Sequence, residues 1–175
     1  PARYRVDGWR SACPVALRGG PRPTAHRLAA VRERHGGPAA RYAPRVRGLG
    51  FHALRGYLRG FIDMTFEFEG RWYVADYKSN WLGETRDHYD DAGLWSAMSG
   101  HHYVLQYLLY LVALHRYLRV RLRGYDADRH LGGAYYLFLR GMDPATGPSR
   151  GVFEDRPPAA LIRELSALLD GEDPR

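Results

Sequence analysis

The sequence predicts an α/β fold, in which helices pack on a β-sheet. Three observations predict it: two β-rich runs meet at Glu69-Gly70, a long apolar helical pattern follows them, and a buried strand and an amphipathic helix come last. The order strand, strand, helix, helix, strand, helix is typical of a sheet covered by helices. A chain of 175 residues with 45% hydrophobic content is large enough to bury one core.

The N-terminal part predicts little regular structure. Residues 1–44 are rich in proline, glycine and arginine and show no sustained period, so we expect a linker and an irregular basic segment there, with at most a short helix in residues 24–36. A globular part is then expected from residue 45 to residue 175. Within it, the two β-rich runs predict a hairpin that turns at Glu69-Gly70.

The remaining elements follow from hydrophobic periodicity and from the residues that end each pattern. Residues 87–99 predict a short helix, and residues 101–121 predict a long one that ends before Gly124. Residues 132–141 then read as a buried strand, followed by a loop rich in proline and glycine. Residues 158–169 predict a terminal amphipathic helix with proline at its first turn.

Composition limits the class of protein. The uncharged apolar stretch at residues 103–114 is shorter than the roughly 20 residues of a membrane-spanning helix, so we expect a buried helix and no membrane association. Cys13 is the sole cysteine, which excludes an internal disulfide and fits a reducing cytoplasm. Residues 1–60 carry 13 arginines against two acidic residues, which indicates a polyanionic partner or, equally, a solvated arginine-rich surface.

One lysine stands out in this arginine-rich chain. Lys78 is the only lysine among 26 basic residues. If Phe68 lies opposite Arg71, Asp63 lies opposite Asp76, and Lys78 projects on the same face as Asp76. Two opposed carboxylates destabilise a sheet unless a cation lies between them. The pattern therefore predicts a site for a divalent metal beside a lysine.

The chemistry of such a site suits phosphodiester hydrolysis. Mg²⁺ prefers carboxylate oxygens and retains water molecules, one of which can act as the nucleophile. An ammonium group is compact, whereas a guanidinium group is bulky and always protonated, so lysine fits beside a metal where arginine does not. The competing interpretation is that Asp76 and Lys78 merely solvate an exposed strand, and a register shift of one residue would move Asp63 to the other face.

Four stretches carry a resemblance to a known family. They are GFIDMTFEFEGRWYVADYKSNWLG (60–83), YVLQYLLYLVALHRYLR (103–119), YDADRHLGGAYYLFLRGM (125–142) and GVFEDRPPAALI (151–162). In order and spacing they resemble the C-terminal nuclease domain of RecB-type subunits of the RecBCD helicase-nuclease (exodeoxyribonuclease V), over roughly residues 45–170. The resemblance implies a PD-(D/E)XK restriction-endonuclease-like core with a mixed central sheet flanked by helices.

The resemblance also implies roles for residues of the hairpin. Asp63, Asp76 and the backbone carbonyl of Tyr77 would bind Mg²⁺, and Lys78 would be the catalytic lysine.

Two further pairs of residues are candidates for support of the site. Gln106 and Tyr110 match a Gln-x-x-x-Tyr motif of the family and share a helix face, which implies an active-site or DNA-contact role, although spacing alone also fits a packing helix. Arg55 and Arg59 are candidates to hold the phosphate backbone.

One part of the family pattern is missing. The family has a further metal-binding histidine in a Gly-Thr-x-x-His context upstream, and His26, His35 and His52 do not lie in such a context. We therefore expect the chain to begin after that helix and after a helicase portion of the same parent chain. The adjacent His101 and His102 are expected at a helix start or on the surface.

The expected function is that of an Mg²⁺-dependent exodeoxyribonuclease in double-strand break repair and DNA degradation. Its expected partners are DNA and RecC-like and RecD-like subunits. The alternative is a non-catalytic nuclease-like module that binds DNA or docks a subunit.

Overall fold

A computed structural model describes the side chains of residues 25–49, 60–145, 147 and 150–171, and the backbone of three short strands outside these ranges. The described residues contain seven strands: β1 (Arg5–Asp7), β2 (Val15–Leu17), β3 (Gly56–Leu58), β4 (Met64–Phe68), β5 (Arg71–Lys78), β6 (Leu131–Phe138) and β7 (Val152–Asp155). They also contain six α-helices: α1 (Ala25–Glu33), α2 (Gly37–Arg47), α3 (Asp91–Gly100), α4 (Tyr103–Arg121), α5 (Ala127–His130) and α6 (Ala159–Leu169).

The central sheet is mixed, as predicted. Its strand order is β1-β4-β5-β6-β7, with β5 and β6 parallel and the other neighbours antiparallel. Strands β2 and β3 form a separate antiparallel pair. Because a parallel pair requires a crossover connection, α3, α4 and α5 lie between β5 and β6 in the chain.

The predicted hairpin and its register are confirmed. Strands β4 and β5 pair with Phe68 opposite Arg71 and Met64 opposite Ala75. The turn residues Glu69 and Gly70 have φ angles of 50° and 76°. Positive φ at both central residues matches the twist of the flanking strands, which explains the glycine at the second position.

Residues 25–47 correct the expectation of an irregular segment. They form α1 and α2, and the predicted boundary at residue 44 falls inside α2. Ala39, Tyr42, Ala43 and Val46 are buried at helical spacing, while arginines occupy the exposed side of α2. In the sequence, the arginines and Pro44 obscure this helical spacing, which becomes evident only from which residues are buried.

Strand β7 lies in the stretch that the sequence predicted to be a loop. It has four residues and pairs antiparallel with β6, with Phe153 opposite Tyr136. Four residues are too few to show a clear alternation of apolar and polar side chains. The segment is a strand because it pairs with β6.

The core lies between the helices and one face of the sheet. Val74 and Tyr136 are buried on the helix-facing side of β5 and β6, against residues of α4 such as Leu108. Alternation along β5 places Asp76 and Lys78 on this same side. Among the described residues, no helix is long and apolar enough to cross a membrane. Helix α4 is instead a core helix, as predicted.

The pairing between β5 and β6 contains a β-bulge. Trp72 lies opposite Leu131, but Tyr73 lies opposite Gly133, so Gly132 is an extra residue. Gly133 has φ of 134°, and a side chain there would meet a backbone oxygen of β7. After the bulge the register runs evenly to Lys78, which lies opposite Phe138.

Candidate active site

The hairpin brings two carboxylates together at its open end. Asp63 immediately precedes β4, and Asp76 lies in β5 next to Ala75, the partner of Met64. The backbone N–H of Tyr77 donates to Oδ2 of Asp63 at 3.0 Å, which fixes Asp63 against β5. The predicted neighbourhood of the two aspartates is therefore present in the fold.

Lys78 forms an ion pair with Asp76. Its Nζ lies 2.5 Å from Oδ2 of Asp76, and the two side chains are 12% and 7% exposed. The ammonium also lies over two aromatic rings, 3.9 Å from the centroid of Tyr103 and 5.1 Å from that of Tyr136. Partial burial strengthens both kinds of attraction, so the lysine is held in a defined position.

Gln106 connects Lys78 to the helix α4 and to β6. Its Oε1 accepts from Nζ of Lys78 at 3.2 Å and from the hydroxyl of Tyr136 at 2.8 Å. Its Nε2 donates to the hydroxyl of Tyr110 at 3.1 Å, and that hydroxyl donates to the backbone oxygen of Phe61 at 2.5 Å. Gln106 and Tyr110 thus tie the lysine to the segment that carries Asp63.

Burial changes the proton affinity of the site. It raises the pKa of Asp76 above the ordinary value for aspartate, Asp63 adds in the same direction, and Lys78 opposes both. Burial also raises the pKa of Tyr110, to which the charge of Asp76 contributes. The ionised form of Asp76 is therefore held at an electrostatic cost that a nearby cation would offset.

The donor set fits a divalent cation. One oxygen of each carboxylate is engaged, by Tyr77 N–H in Asp63 and by Lys78 in Asp76. Within the described residues, the second oxygen of each accepts no hydrogen bond from the protein. Hard oxygen ligands of this kind suit Mg²⁺, Mn²⁺ or Ca²⁺. The same described part of the chain contains no group of three or more His, Cys, Asp or Glu that could hold a metal.

The structure adds residues to the predicted site, and two of the predicted residues are not among those that it describes. Tyr103 and Tyr136 contact Lys78, and Asn80 accepts a hydrogen bond from the Tyr103 hydroxyl at 3.2 Å. Sequence reasoning did not single out Tyr103, Tyr136 or Asn80, and the only signal for them is that each lies in a stretch that carries the family resemblance. The predicted phosphate-binding residues Arg55 and Arg59 lie outside the described residues.

The two adjacent histidines lie where a helix start was expected. His101 and His102 join α3 to α4, and both are exposed. His102 has φ of 58° and its Nδ1 is hydrogen-bonded to the hydroxyl of Tyr42. His101 stacks on Tyr103 with 5.3 Å between ring centroids.

Comparison with known proteins defines the class of the chain. The family model described as the PD-(D/E)XK nuclease superfamily matches residues 9–171. The chain belongs to the PD-(D/E)XK nuclease superfamily, whose members are divalent-metal-dependent nucleases, and it is therefore a hydrolase by class.

Several curated proteins are similar to the chain over most of its length. It is 50% identical over 123 residues to the RecBCD enzyme subunit RecB of Escherichia coli (strain K12), which covers 70% of this chain and 10% of that protein. It is 49% identical over 141 residues to RecB of Mycobacterium tuberculosis (strain ATCC 25618 / H37Rv), with 76% of this chain and 13% of that protein covered. It is 47% identical over 121 residues to RecB of Haemophilus influenzae (strain ATCC 51907 / DSM 11121 / KW20 / Rd), with 69% and 10% covered. The chain spans about a tenth of the length of these relatives.

Proposed function

We propose that this chain is an Mg²⁺-dependent DNA nuclease domain that works in the cytoplasm within a RecBCD-type helicase-nuclease. One observation carries the proposal: within the described residues, Asp63 and Asp76 each keep one carboxylate oxygen without a protein donor, and Lys78 is paired with Asp76. Similarity to RecB subunits supports a parent chain with a helicase portion and partners of the RecC and RecD type. DNA degradation and double-strand break repair are the corresponding cellular roles.

Asp63, Asp76 and the backbone carbonyl of Tyr77 would hold the metal. When bound, a divalent cation lowers the pKa of a coordinated water and offsets negative charge on the phosphate. Both tasks require ligands that stay fixed while charge develops. The hydrogen bond from Tyr77 N–H to Asp63 and the ion pair from Lys78 to Asp76 supply that rigidity.

Lys78 acts on the substrate side of the site. An ammonium group has three N–H donors, and within the described residues Asp76 and Gln106 accept two of them. The third is left for a phosphate oxygen or for the attacking water. Because Tyr103 and Tyr136 confine the ammonium, its charge stays next to the phosphate throughout the displacement.

Neutralisation of Asp76 tests the proposal. The purified chain is incubated with Mg²⁺ and end-labelled single-stranded DNA, and the cleavage rates of the native chain and of Asp76→Asn are compared. We expect at least about a hundredfold loss, because the substitution removes both a metal ligand and the partner of Lys78. Glu69→Gln is the matched control, since Glu69 is exposed at the opposite end of the same hairpin.

The outcomes separate catalysis from docking. Unchanged cleavage by Asp76→Asn would refute the catalytic assignment. DNA binding by a native chain that cleaves nothing and shows no carboxylate-dependent heat of Mg²⁺ or Mn²⁺ binding would instead support the non-catalytic module. That alternative is favoured by one observation: the described residues offer two carboxylates at the site and no group of three or more metal-binding side chains.

A further inference from the structure

A cleft opens beside the candidate active site. It has a volume of about 690 Å³ and lies between the segment that follows β5 and the residues that begin and end α3. Three rings line it, those of Trp81, His88 and His101, together with small residues such as Ser96 and Gly100. This volume falls in the range of roughly 300–1,000 Å³ that is typical of small-molecule sites.

Trp81 is a large aromatic side chain on the protein surface. Its side chain is 65% exposed, three residues after Lys78. An indole left in water forgoes a large burial of apolar surface, and an exposed tryptophan at the wall of a cleft is typical of a binding surface. The other described tryptophans, Trp72 and Trp95, pack against the core.

The cleft and Lys78 have Tyr103 as a common neighbour. The centroid of the Tyr103 ring lies 3.9 Å from Nζ of Lys78 and 5.3 Å from the ring centroid of His101, which lines the cleft. The Tyr103 hydroxyl donates to Asn80, the neighbour of Trp81. One aromatic side chain therefore separates Lys78 from the residues that line the cleft, which is a distance that one nucleotide can span.

Two carboxylates line the cleft, so it suits the uncharged base of a nucleotide and not its phosphate. Asp90 caps α3 by accepting from the N–H of Gly93 at 2.8 Å. Asp87 pairs with Arg150 at 3.2 Å. Both carboxylates that line the cleft thus have a partner in the protein, and its remaining surface consists of Leu82, three rings and four small residues.

We propose that this cleft is a base-binding subsite in which Trp81 stacks on an unpaired nucleobase next to the scissile phosphate. The inference rests on the proposed nuclease function and deepens it. Base stacking on aromatic side chains tolerates any sequence, because every base has a π-face. A base paired within a duplex cannot enter a cleft without being extruded, so the subsite favours single-stranded DNA over duplex DNA.

Binding measurements with two independent variants test the subsite. Trp81→Ala removes the stacking ring, and Gly100→Phe fills the cleft, since a side chain at Gly100 meets no atom within 4 Å. Affinity is measured by fluorescence anisotropy with a labelled single-stranded oligonucleotide of about 12 nucleotides in EDTA, which prevents cleavage. We expect each variant to bind about tenfold more weakly, with a smaller change for duplex DNA. Gly100→Ala and Trp81→Phe are the matched controls and should bind nearly as the native chain does.

An abasic oligonucleotide separates base stacking from a general loss of binding. The native chain should bind it about tenfold more weakly than the intact strand, and Trp81→Ala should lose nothing further. If Trp81→Ala and Gly100→Phe both bind intact single strands as tightly as the native chain, the subsite does not exist. If Gly100→Phe fails to fold, the exposed Trp81 decides the outcome alone.

The subsite and the nuclease function fail in different ways. If Asp76→Asn is inactive while Trp81→Ala binds and cuts like the native chain, the nuclease assignment stands and the subsite is wrong. If Asp76→Asn cuts normally while Trp81→Ala binds weakly, the cleft is a nucleic-acid site and the catalytic assignment is wrong.

Discussion

Replacement of Gln106 by leucine would break the network that positions Lys78. The side-chain oxygen of Gln106 accepts from Lys78 at 3.2 Å and from the hydroxyl of Tyr136 at 2.8 Å. Tyr136 is 0% exposed, so in Gln106→Leu its hydroxyl would lose its acceptor without gaining water. An orphaned buried donor costs about 1–3 kcal/mol, and we expect the free energy of unfolding to fall by about 2 kcal/mol.

The same change would reduce the cleavage rate. Among the described residues, Lys78 would keep only Asp76 as an acceptor, and its ammonium would lose its hydrogen bond to α4. A hydrogen bond to a charged group contributes about 1.5–3 kcal/mol, which corresponds to a loss of about 10- to 100-fold in kcat if the bond matters only in the transition state. KM for DNA should change much less, because Gln106 is a positioning residue.

A double-mutant cycle measures the effect on stability. The free energy of unfolding is obtained from urea denaturation for the native chain, Gln106→Leu, Tyr136→Phe and the double variant. Because Tyr136→Phe removes the hydroxyl that would be orphaned, Gln106→Leu should cost about 1–2 kcal/mol less in that background. An equal cost in both backgrounds would refute the reasoning, as would native kcat in Gln106→Leu.

Three further predictions concern stability. Burial lowers the pKa of His115 from 6.5 to about 4. Between these two pH values the unfolded chain therefore binds more protons than the folded chain does. The free energy of unfolding is highest above pH 6.5 and falls as the pH decreases towards 4. The variant His115→Gln can still form a hydrogen bond with the Tyr125 hydroxyl. At pH 5 its free energy of unfolding should have fallen by about 2 kcal/mol less than that of the native chain, as measured by urea denaturation at several pH values. Arg32 is 1% exposed, and its Nε and one terminal nitrogen have no hydrogen-bond partner among the described residues, so Arg32→Met should raise the free energy of unfolding by about 1–2 kcal/mol in urea titrations. Gly133→Ala should cost about 3 kcal/mol or more in thermal unfolding, because the new Cβ would lie 2.4 Å from the backbone oxygen of Asp155 at a positive φ.

Each of these predictions has its own contradicting result. A pH profile of His115→Gln that runs parallel to the native profile would show that this histidine does not couple folding to pH. Arg34→Met is the control for Arg32→Met, because Arg34 is exposed, and a loss of stability in Arg32→Met would contradict the prediction. Gly124→Ala imposes a positive φ without a clash, so Gly133→Ala must cost clearly more than it does.

The sequence predicted the hairpin and its register because both depend on local features. Glu69-Gly70 specifies a tight turn, and alternation along two strands then determines which residues face each other. Asp63, Asp76 and Lys78 could therefore be grouped from the printed sequence. Helix α2 was missed because its buried residues, such as Tyr42 and Val46, are separated by arginines and Pro44, and its stability comes from packing on other helices, chiefly on α1.

By itself, the sequence determined a β-hairpin with two neighbouring aspartates, a unique lysine two residues further on, and the helices and strand that follow. Only the tertiary structure decided what surrounds that lysine. Gln106 and Tyr103 reach Lys78 because α4 crosses the sheet there, and Tyr136 reaches it because β6 pairs in parallel with β5. Periodicity shows which face of an element is buried, but it does not show which distant element covers that face. That choice depends on packing between residues far apart in the chain.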